Sequence, residues 1–516
     1  MILEALIMFS SWKFLLLGTF SLIVVWLVYN FLQEQFSPLQ NIPCPPGALP
    51  LIGHSLTLLR CGSLLDVVRT WTEQFPSMFV LHLGLRLGVV GGHLVYVTDP
   101  ELIRFVTVKN AHKFERSEFL AKIIPSLRKG VFVSVGKAHT RQKRLISPAF
   151  SLAHLKGFLN IFQENSEKLV QLWSDQLTKV QPECSFERDI NKDMHHLSLD
   201  LIGESAFGYS FNTILGGSSK VSEAFTVLFL SFNITFLVCK FLFPFFDYLP
   251  LAENRKIQAA KEITDNTVLE VIQERRRQKS EGNAPVKRDL LALLMDMYDE
   301  ETNSRMNDEE LRSQVFTFIL AGSETTNVAL AWTLYELAKN PHIQQKLRTE
   351  IQATFTRKEE LTWEKLEKMQ YLGNVVKESL RLHAPADVTS RVATSDVEIG
   401  GYFVPAGTYV VLPIDSTQRS SHFWSNPLAF DPERFVKNDG QESVHPFAYF
   451  PFGCGPRMCI GNKFAVMVMK VVLVTLVKNF SFHEVPNCVV NEVNRVSTRP
   501  DGLKLCINLV ENVDKE

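Results

Sequence analysis

The chain has little charge of either sign to spare, few cysteines, no repeat and almost no long hydrophobic run. Lys+Arg 54 against Asp+Glu 55 leaves a formal net charge of −1 over 516 residues. Without a basic excess, a nucleic-acid partner is excluded. Eight cysteines in so long a chain cannot form the dense framework of a small secreted scaffold, so a reducing compartment is expected for the body. No period of about 20–50 residues recurs, which excludes a solenoid. Hydrogen-bonding aromatics are scarce too: Tyr 10 and Trp 7 stand against Phe 38, a balance suited to an oily interior.

The rest fits a large globular chain. A hydrophobic fraction of 46% with 21% charged residues supports a sizeable core. At ~150 residues per domain the length would allow about three domains, or one unusually large one. The exceptional apolar run is Phe14–Leu32, 19 residues without a charge. It would reach roughly 28 Å as a helix, about the hydrocarbon thickness of a bilayer. It is longer than a signal-peptide core and no small-residue cleavage site follows, so a retained anchor over residues 1–33 is expected. Residues 34–50 hold Pro43, Pro45, Pro46 and Pro50 and read as a stiff hinge. Residues 51–516 form the body.

Within the body, Met78–Leu83 and Leu94–Val97 are strand-like and edged by Gly or Pro, and the pattern from about 150 to 480 is mostly helical. Ala224–Val238 is apolar but interrupted by Ser231, Asn233 and Thr235, as a buried or membrane-dipping segment would be. The basic run Gln273–Lys279 reads as a solvated helix end.

Asn307 is a good N-cap, and Asp308, Glu309 and Glu310 suit the first turn of a helix that continues to Asn340 before Pro341. In its middle stands Leu320-Ala321-Gly322-Ser323-Glu324-Thr325-Thr326. A Thr hydroxyl there can compete for backbone carbonyls and widen the turn, and Glu324 beside Thr325 could supply protons. A small-residue packing contact is the alternative.

Pro451–Gly461 is the most informative stretch. Its glycines and proline impose a tight loop before a helix from about Asn462 to Lys478, so Cys459 stands at a helix N-terminus where a thiolate is favoured, with Arg457 two residues away. Such a thiolate is a metal ligand or a nucleophile. Zinc and iron–sulfur clusters want more ligands than Cys454 can add, and a cysteine protease wants a His partner. A haem iron needs this one thiolate only.

Phe452, Gly455, Arg457, Cys459 and Gly461 resemble the haem-binding loop of the cytochrome P-450 family. Glu378-Ser379-Leu380-Arg381 is similar to that family's Glu-x-x-Arg, and Phe430–Phe435 to the segment whose Arg, here Arg434, completes a triad. Ala321–Thr326 resembles its oxygen-binding helix. The resemblance spans about residues 40–510. It implies a mostly α fold with small β-sheets, preceded by one N-terminal transmembrane helix, and haem b with Cys459 as axial ligand. It further implies Arg457 and Arg391 on the haem propionates, and a structural network of Glu378, Arg381 and Arg434. Where family members often have Trp and Arg four apart for the propionates, this chain has His139 and Lys143. Ser323 replaces a common His. Ala321 replaces the Glu that esterifies haem in some fatty-acid hydroxylases, which excludes that ester. Thr325 and Glu324 would deliver protons.

The implied activity is insertion of one oxygen atom from O2 into a hydrophobic small molecule such as a fatty acid, sterol, terpenoid or xenobiotic. Electrons would come from NADPH through the cytochrome P-450 reductase, with cytochrome b5 as a second partner, at the endoplasmic reticulum membrane. The alternatives are a peroxide or endoperoxide isomerase of the same fold, needing no reductase, and a non-catalytic haem-binding protein. Glu115–Val133, Phe318, Ile319, Ala321 and Ala386–Thr389 would line the pocket, with Asp387 either a polar group in it or a surface residue.

Overall fold

The computed structural model describes residues 18–510 apart from 20, 22–23, 27, 33–34, 51, 62, 85–91, 118–124, 180–185, 218, 231–245, 283–288, 356–360, 437–443 and 495. Helices dominate. The longer ones are α1 (Leu64–Gln74), α2 (Gly136–Ile146), α3 (Leu159–Leu177), α4 (Ile190–Phe207), α5 (Ser219–Leu230) and α6 (Ala252–Ser280). They are followed by α7 (Asp308–Lys339), α8 (Pro341–Thr354), α9 (Gln370–Leu382) and α10 (Asn462–Asn479).

α7 is the axis of the helical part. The Asn307 side chain accepts from the Glu310 amide while the Glu310 carboxylate accepts from the Asn307 amide, a reciprocal cap that satisfies two amides at the helix start. It ends at Asn340, with Pro341 opening α8. Of the two readings of its centre, the widened turn is absent: the helix is continuous through Ala321–Thr326, and Thr325 Oγ1 donates to the Ala321 carbonyl at 2.7 Å without displacing the ladder. Gly322 lets α4 come close, since a Cβ there would lie 2.8 Å from the side chain of Ile202.

The largest sheet has five strands: β1 (Met78–His82), β2 (His93–Val97), β3 (Phe114–Glu115), β4 (Val388–Ala393) and β5 (Tyr409–Pro413), in spatial order β1-β2-β5-β4-β3. Only the β5–β2 pair is parallel, with Val410 opposite Val95. A two-stranded hairpin near the carboxyl end pairs β6 (Asn491–Asn494) with β7 (Thr498–Asp501). It is tied to α7 by the Trp332 indole, which donates to the Thr498 carbonyl at 2.8 Å.

The proline-rich segment lies against the sheet. Leu39 and Ile42 are buried, the Val80 amide donates to the Pro43 carbonyl, and His54 Nε2 lies 2.9 Å from the Pro45 carbonyl. Phe14–Leu32 falls partly outside the described residues, and among those described no single helix is long and apolar enough to cross a membrane. Ala224–Val238 also falls largely outside them. In the basic run, Arg275 departs from the expected solvated helix end: it is buried and pairs with Asp289.

Candidate functional site

The loop before α10 is built around glycine. Gly455 has φ +67°, and a Cβ on it would stand 1.9 Å from the Thr107 carbonyl oxygen, so a side chain is excluded twice over. The loop closes on itself where the Cys459 amide donates to the Phe452 carbonyl at 2.9 Å. Cys459 is surrounded by protein, yet its surface is accessible, as for a group lining an internal space. Ala321 and Thr325 are likewise accessible although they lie mid-way along the otherwise buried α7.

The Cys459 thiol is pushed up by burial, opposed by the Gly461 backbone amide and by the charge of Arg116. This corrects the expectation that the helix terminus and Arg457 would dominate. Burial outweighs both aids, and Arg457 donates to the Ser134 carbonyl at 2.7 Å. Cys454 is a buried thiol, pushed up to about 11 by burial. Among the described residues every cysteine is a free thiol.

Five cationic or protonatable side chains surround the same space. Arg391 comes from β4, His139 and Lys143 from one face of α2, Arg457 from the cysteine loop and Arg116 from the segment after β3. Arg116 is held down at about 9 by burial and then by Arg391 and Arg457, and its guanidinium lies over the Phe132 ring at 3.9 Å. Arg391 is held down at about 10 by burial and Arg457. His139 is pushed down to about 4 by burial, then by Arg457, Lys143, Arg116 and Arg391. Lys143 is lowered by burial and Arg457, and donates to the Pro456 carbonyl. The acidic side chain that offsets Arg457 is Glu115.

A partly buried cluster of like charges is unfavourable unless an anion joins it. The donor set here suits a flat group carrying two carboxylates on one edge and a metal that takes one sulfur ligand at its centre. Arg116 has no motif to announce it; its place at the head of the Glu115–Val133 loop was the available signal.

The Glu378–Arg381 pair forms as the i, i+3 spacing allows, with Arg381 Nε and Nη2 donating to the carboxylate at 2.8 and 2.9 Å. Arg434 Nε adds a third donor at 2.8 Å. Both α9 members are fully buried. Arg381 also donates to the carbonyls of Gln418, Pro427 and Ala429, and Gln418 Oε1 accepts from the Phe450 amide, which ties the network to the start of the cysteine loop.

Glu324 and Thr325 do not bond each other. Glu324 is buried and its Oε1 accepts from Ser497 Oγ at 2.6 Å, a partner 173 residues away that local sequence could not suggest. Asp387 is partly accessible: Asn494 donates to it at 2.7 Å, and burial followed by the charge of Asp415 pushes it up to about 6. Val388, its neighbour, is accessible.

The profile of the family described as Cytochrome P450 matches residues 43–507. The chain is 32% identical over 480 residues to Cytochrome P450 3A29 of Sus scrofa, covering 92% of this chain and 91% of that one. It is 33% identical to Cytochrome P450 3A9 of Rattus norvegicus, over 90% of each chain, and 30% identical to Cytochrome P450 4c21 of Blattella germanica, over 92% and 93%. The solved cytochrome P450DA heme domain superposes with a TM-score of 0.77 at 26% identity, covering 91% of this chain and 98% of that one. With the family profile spanning residues 43–507 and these relatives covering nine-tenths of the chain, the chain belongs to the cytochrome P450 superfamily and is a cytochrome P450 monooxygenase.

Proposed function

We propose that this chain is a membrane-anchored monooxygenase that binds haem b through Cys459 and hydroxylates apolar small molecules of the fatty-acid, sterol, terpenoid or xenobiotic kind. The observation that carries the reading is the like-charged group Arg116, His139, Lys143, Arg391 and Arg457 beside an accessible thiol. When bound, the haem supplies oxygen activation and oxidation of a C–H bond.

The protein's own residues do the rest. Cys459 supplies the sulfur ligand, the Gly461 amide supports its negative charge, and Arg116 stands near enough to offset it. Arg391 and Arg457, with His139 and Lys143, would hold the two propionates, each bond charge-assisted. Phe452 fixes the loop through its carbonyl. Thr325 presents its hydroxyl on the accessible face of α7, and Glu324, held behind it by Ser497, would pass protons toward it. The apolar residues Ala321 and Val388 exclude water and orient an apolar substrate.

Electrons come from NADPH through a membrane-bound cytochrome P-450 reductase, with cytochrome b5 as auxiliary donor. Phe14–Leu32 is the anchor, residues 34–50 connect it to the body at 51–516, and the catalytic domain faces the cytosol at the endoplasmic reticulum. The decisive experiment is the reduced, carbon-monoxide-treated spectrum of the purified chain, followed by turnover with NADPH and reductase. A thiolate-type Soret band that Cys459→Ala abolishes is expected; a wild-type spectrum without that band sinks the reading. Spectral titration with the three ligand classes then chooses among substrates.

A further inference from the structure

Phe is this chain's default aromatic, 38 against 7 Trp and 10 Tyr, yet α7 carries a Trp and a Tyr one turn apart. Trp332 is 2% exposed, and its ring centroid lies 5.5 Å from that of Tyr335 in an edge-to-face contact. The His383 ring is stacked on the same indole, with centroids 4.0 Å apart. Tyr335 is partly exposed, so the pair leads from the buried part of α7 to the edge of the protein. Among aromatic side chains, indole and phenol give up an electron readily and the Phe ring does not.

Two paths join Trp332 to the part of the helix that carries Thr325. α7 is continuous, so Trp332 stands two turns, about 10 Å, beyond Thr325. A bonded path runs beside it: the Trp332 indole donates to the Thr498 carbonyl at 2.8 Å, and the adjoining Ser497 donates to Glu324 at 2.6 Å. The surroundings set what each ring does when oxidised. The indole N–H faces a neutral carbonyl that cannot take its proton, so an oxidised Trp332 keeps the proton and stays a strong oxidant. Glu336, 2.8 Å from His383 Nε2, brings a carboxylate beside the stacked rings, which favours a transient positive charge there. The Lys339 ammonium, 5.0 Å from the Tyr335 ring centroid, disfavours one, so the phenol proton leaves with the electron. Oxidation therefore runs outward, from Trp332 to Tyr335.

We propose that Trp332 and Tyr335 form an outlet for oxidising equivalents, which protects the haem site when oxygen is activated and no substrate is in place. The proposal rests on the monooxygenase function. In each round Tyr335 gives one electron, through Trp332, to the oxidised haem and its phenol proton to water; a small thiol then returns a hydrogen atom to the phenoxyl. Two rounds convert two thiols to one disulfide. The oxygen atom that substrate would have taken leaves as water with the two protons.

The test uses the full chain with its haem, hydrogen peroxide as oxidant, glutathione as thiol and no substrate, so that one peroxide and two glutathiones give two waters and one disulfide. Freeze-quenched wild type is expected to show a tyrosyl radical by electron paramagnetic resonance. Tyr335→Phe, which keeps the ring and removes the phenol, should lose that signal. Its Soret band should bleach at least threefold faster than that of wild type, while the carbon-monoxide spectrum before exposure and the spectral Kd for imidazole stay within twofold. Trp332→Phe should lose the same radical. Wild type without a tyrosyl radical, a signal that survives either substitution, or equal bleaching in wild type and Tyr335→Phe overturns the proposal. If Trp332→Phe fails to take up haem, Tyr335→Phe decides alone. A wild-type chain without a thiolate-type spectrum would instead defeat the monooxygenase function, so the two failures are distinct.

Discussion

Two clusters of buried charge flank the cysteine loop, and they are built on opposite plans. Around Glu378 the charges are matched within the protein: one carboxylate takes donors from Arg381 and Arg434, and three backbone carbonyls take the spare guanidinium hydrogens. Around Arg391 they are not. Arg116, His139, Lys143 and Arg457 crowd the same space, and burial together with neighbouring cations disfavours the charged forms of Arg116, His139, Lys143 and Arg391. A network that satisfies itself holds structure; one left positive is waiting for an anion. The first cluster therefore holds structure within the protein, and the second keeps a positive excess, as the proposed cofactor seat requires.

The largest effect is expected from unpairing the first cluster. Arg381→Ala should cost about 3–5 kcal/mol of stability, because the fully buried Glu378 would lose two of its three guanidinium hydrogen bonds and three buried carbonyls would lose their donor. Denaturant unfolding measures it, and a loss below ~1 kcal/mol would mean that the network behaves like a surface pair. Arg434→Ala should cost less, since Arg381 keeps its two bonds to the carboxylate.

The second cluster should answer with opposite signs in its two states. Arg391→Gln is expected to weaken haem binding about tenfold, one charge-assisted contact being worth about 1.4 kcal/mol. The same change should stabilise the haem-free protein by about 1 kcal/mol, because it removes a like charge from its neighbours. Haem titration and urea unfolding of the apoprotein check the two halves. Destabilised apoprotein would show that Arg391 already has its counter-ion inside the fold.

A further effect on stability is one of pH. His139 is pushed down to about 4 by burial and by its cationic neighbours, below the ordinary value near 6.5. Between those values the unfolded chain binds the proton and the folded one does not. Apoprotein stability should therefore fall as pH drops from about 6.5 toward 4. His139→Gln should flatten that part of the profile. An unchanged slope would place the titration on another group.

Thr325 belongs to neither cluster, and its replacement should leave both standing. Thr325→Ala should keep folding intact and divert electrons from product to peroxide, read as product formed per NADPH consumed. Unchanged coupling would remove Thr325 from proton delivery.

How much of this was legible depends on reach along the chain. The cap at Asn307, the stop at Pro341 and the strands near 78–83 and 94–97 follow from a few neighbouring residues, and the structure has them within a residue or two. Glu378 and Arg381 share a helix face for the same reason. Of the two readings of the central turn of α7, the packing contact at Gly322 is present and the widened turn is not, because a Thr hydroxyl can share a carbonyl without opening the helix. The thiol misled as well: helix terminus and arginine are visible in sequence, whereas the burial that outweighs them is not.

Residue order alone set the chemistry on offer: one thiol in a glycine-rich loop, an acid and an alcohol mid-helix, arginines at fixed spacings. Those are local properties, governed by turns, caps and i, i+3 geometry. Packing in three dimensions settled which arginine faces the sulfur and that Ser497 holds Glu324 across 173 residues. Desolvation and charge proximity act through space, and no pattern along the chain encodes the distances on which they depend.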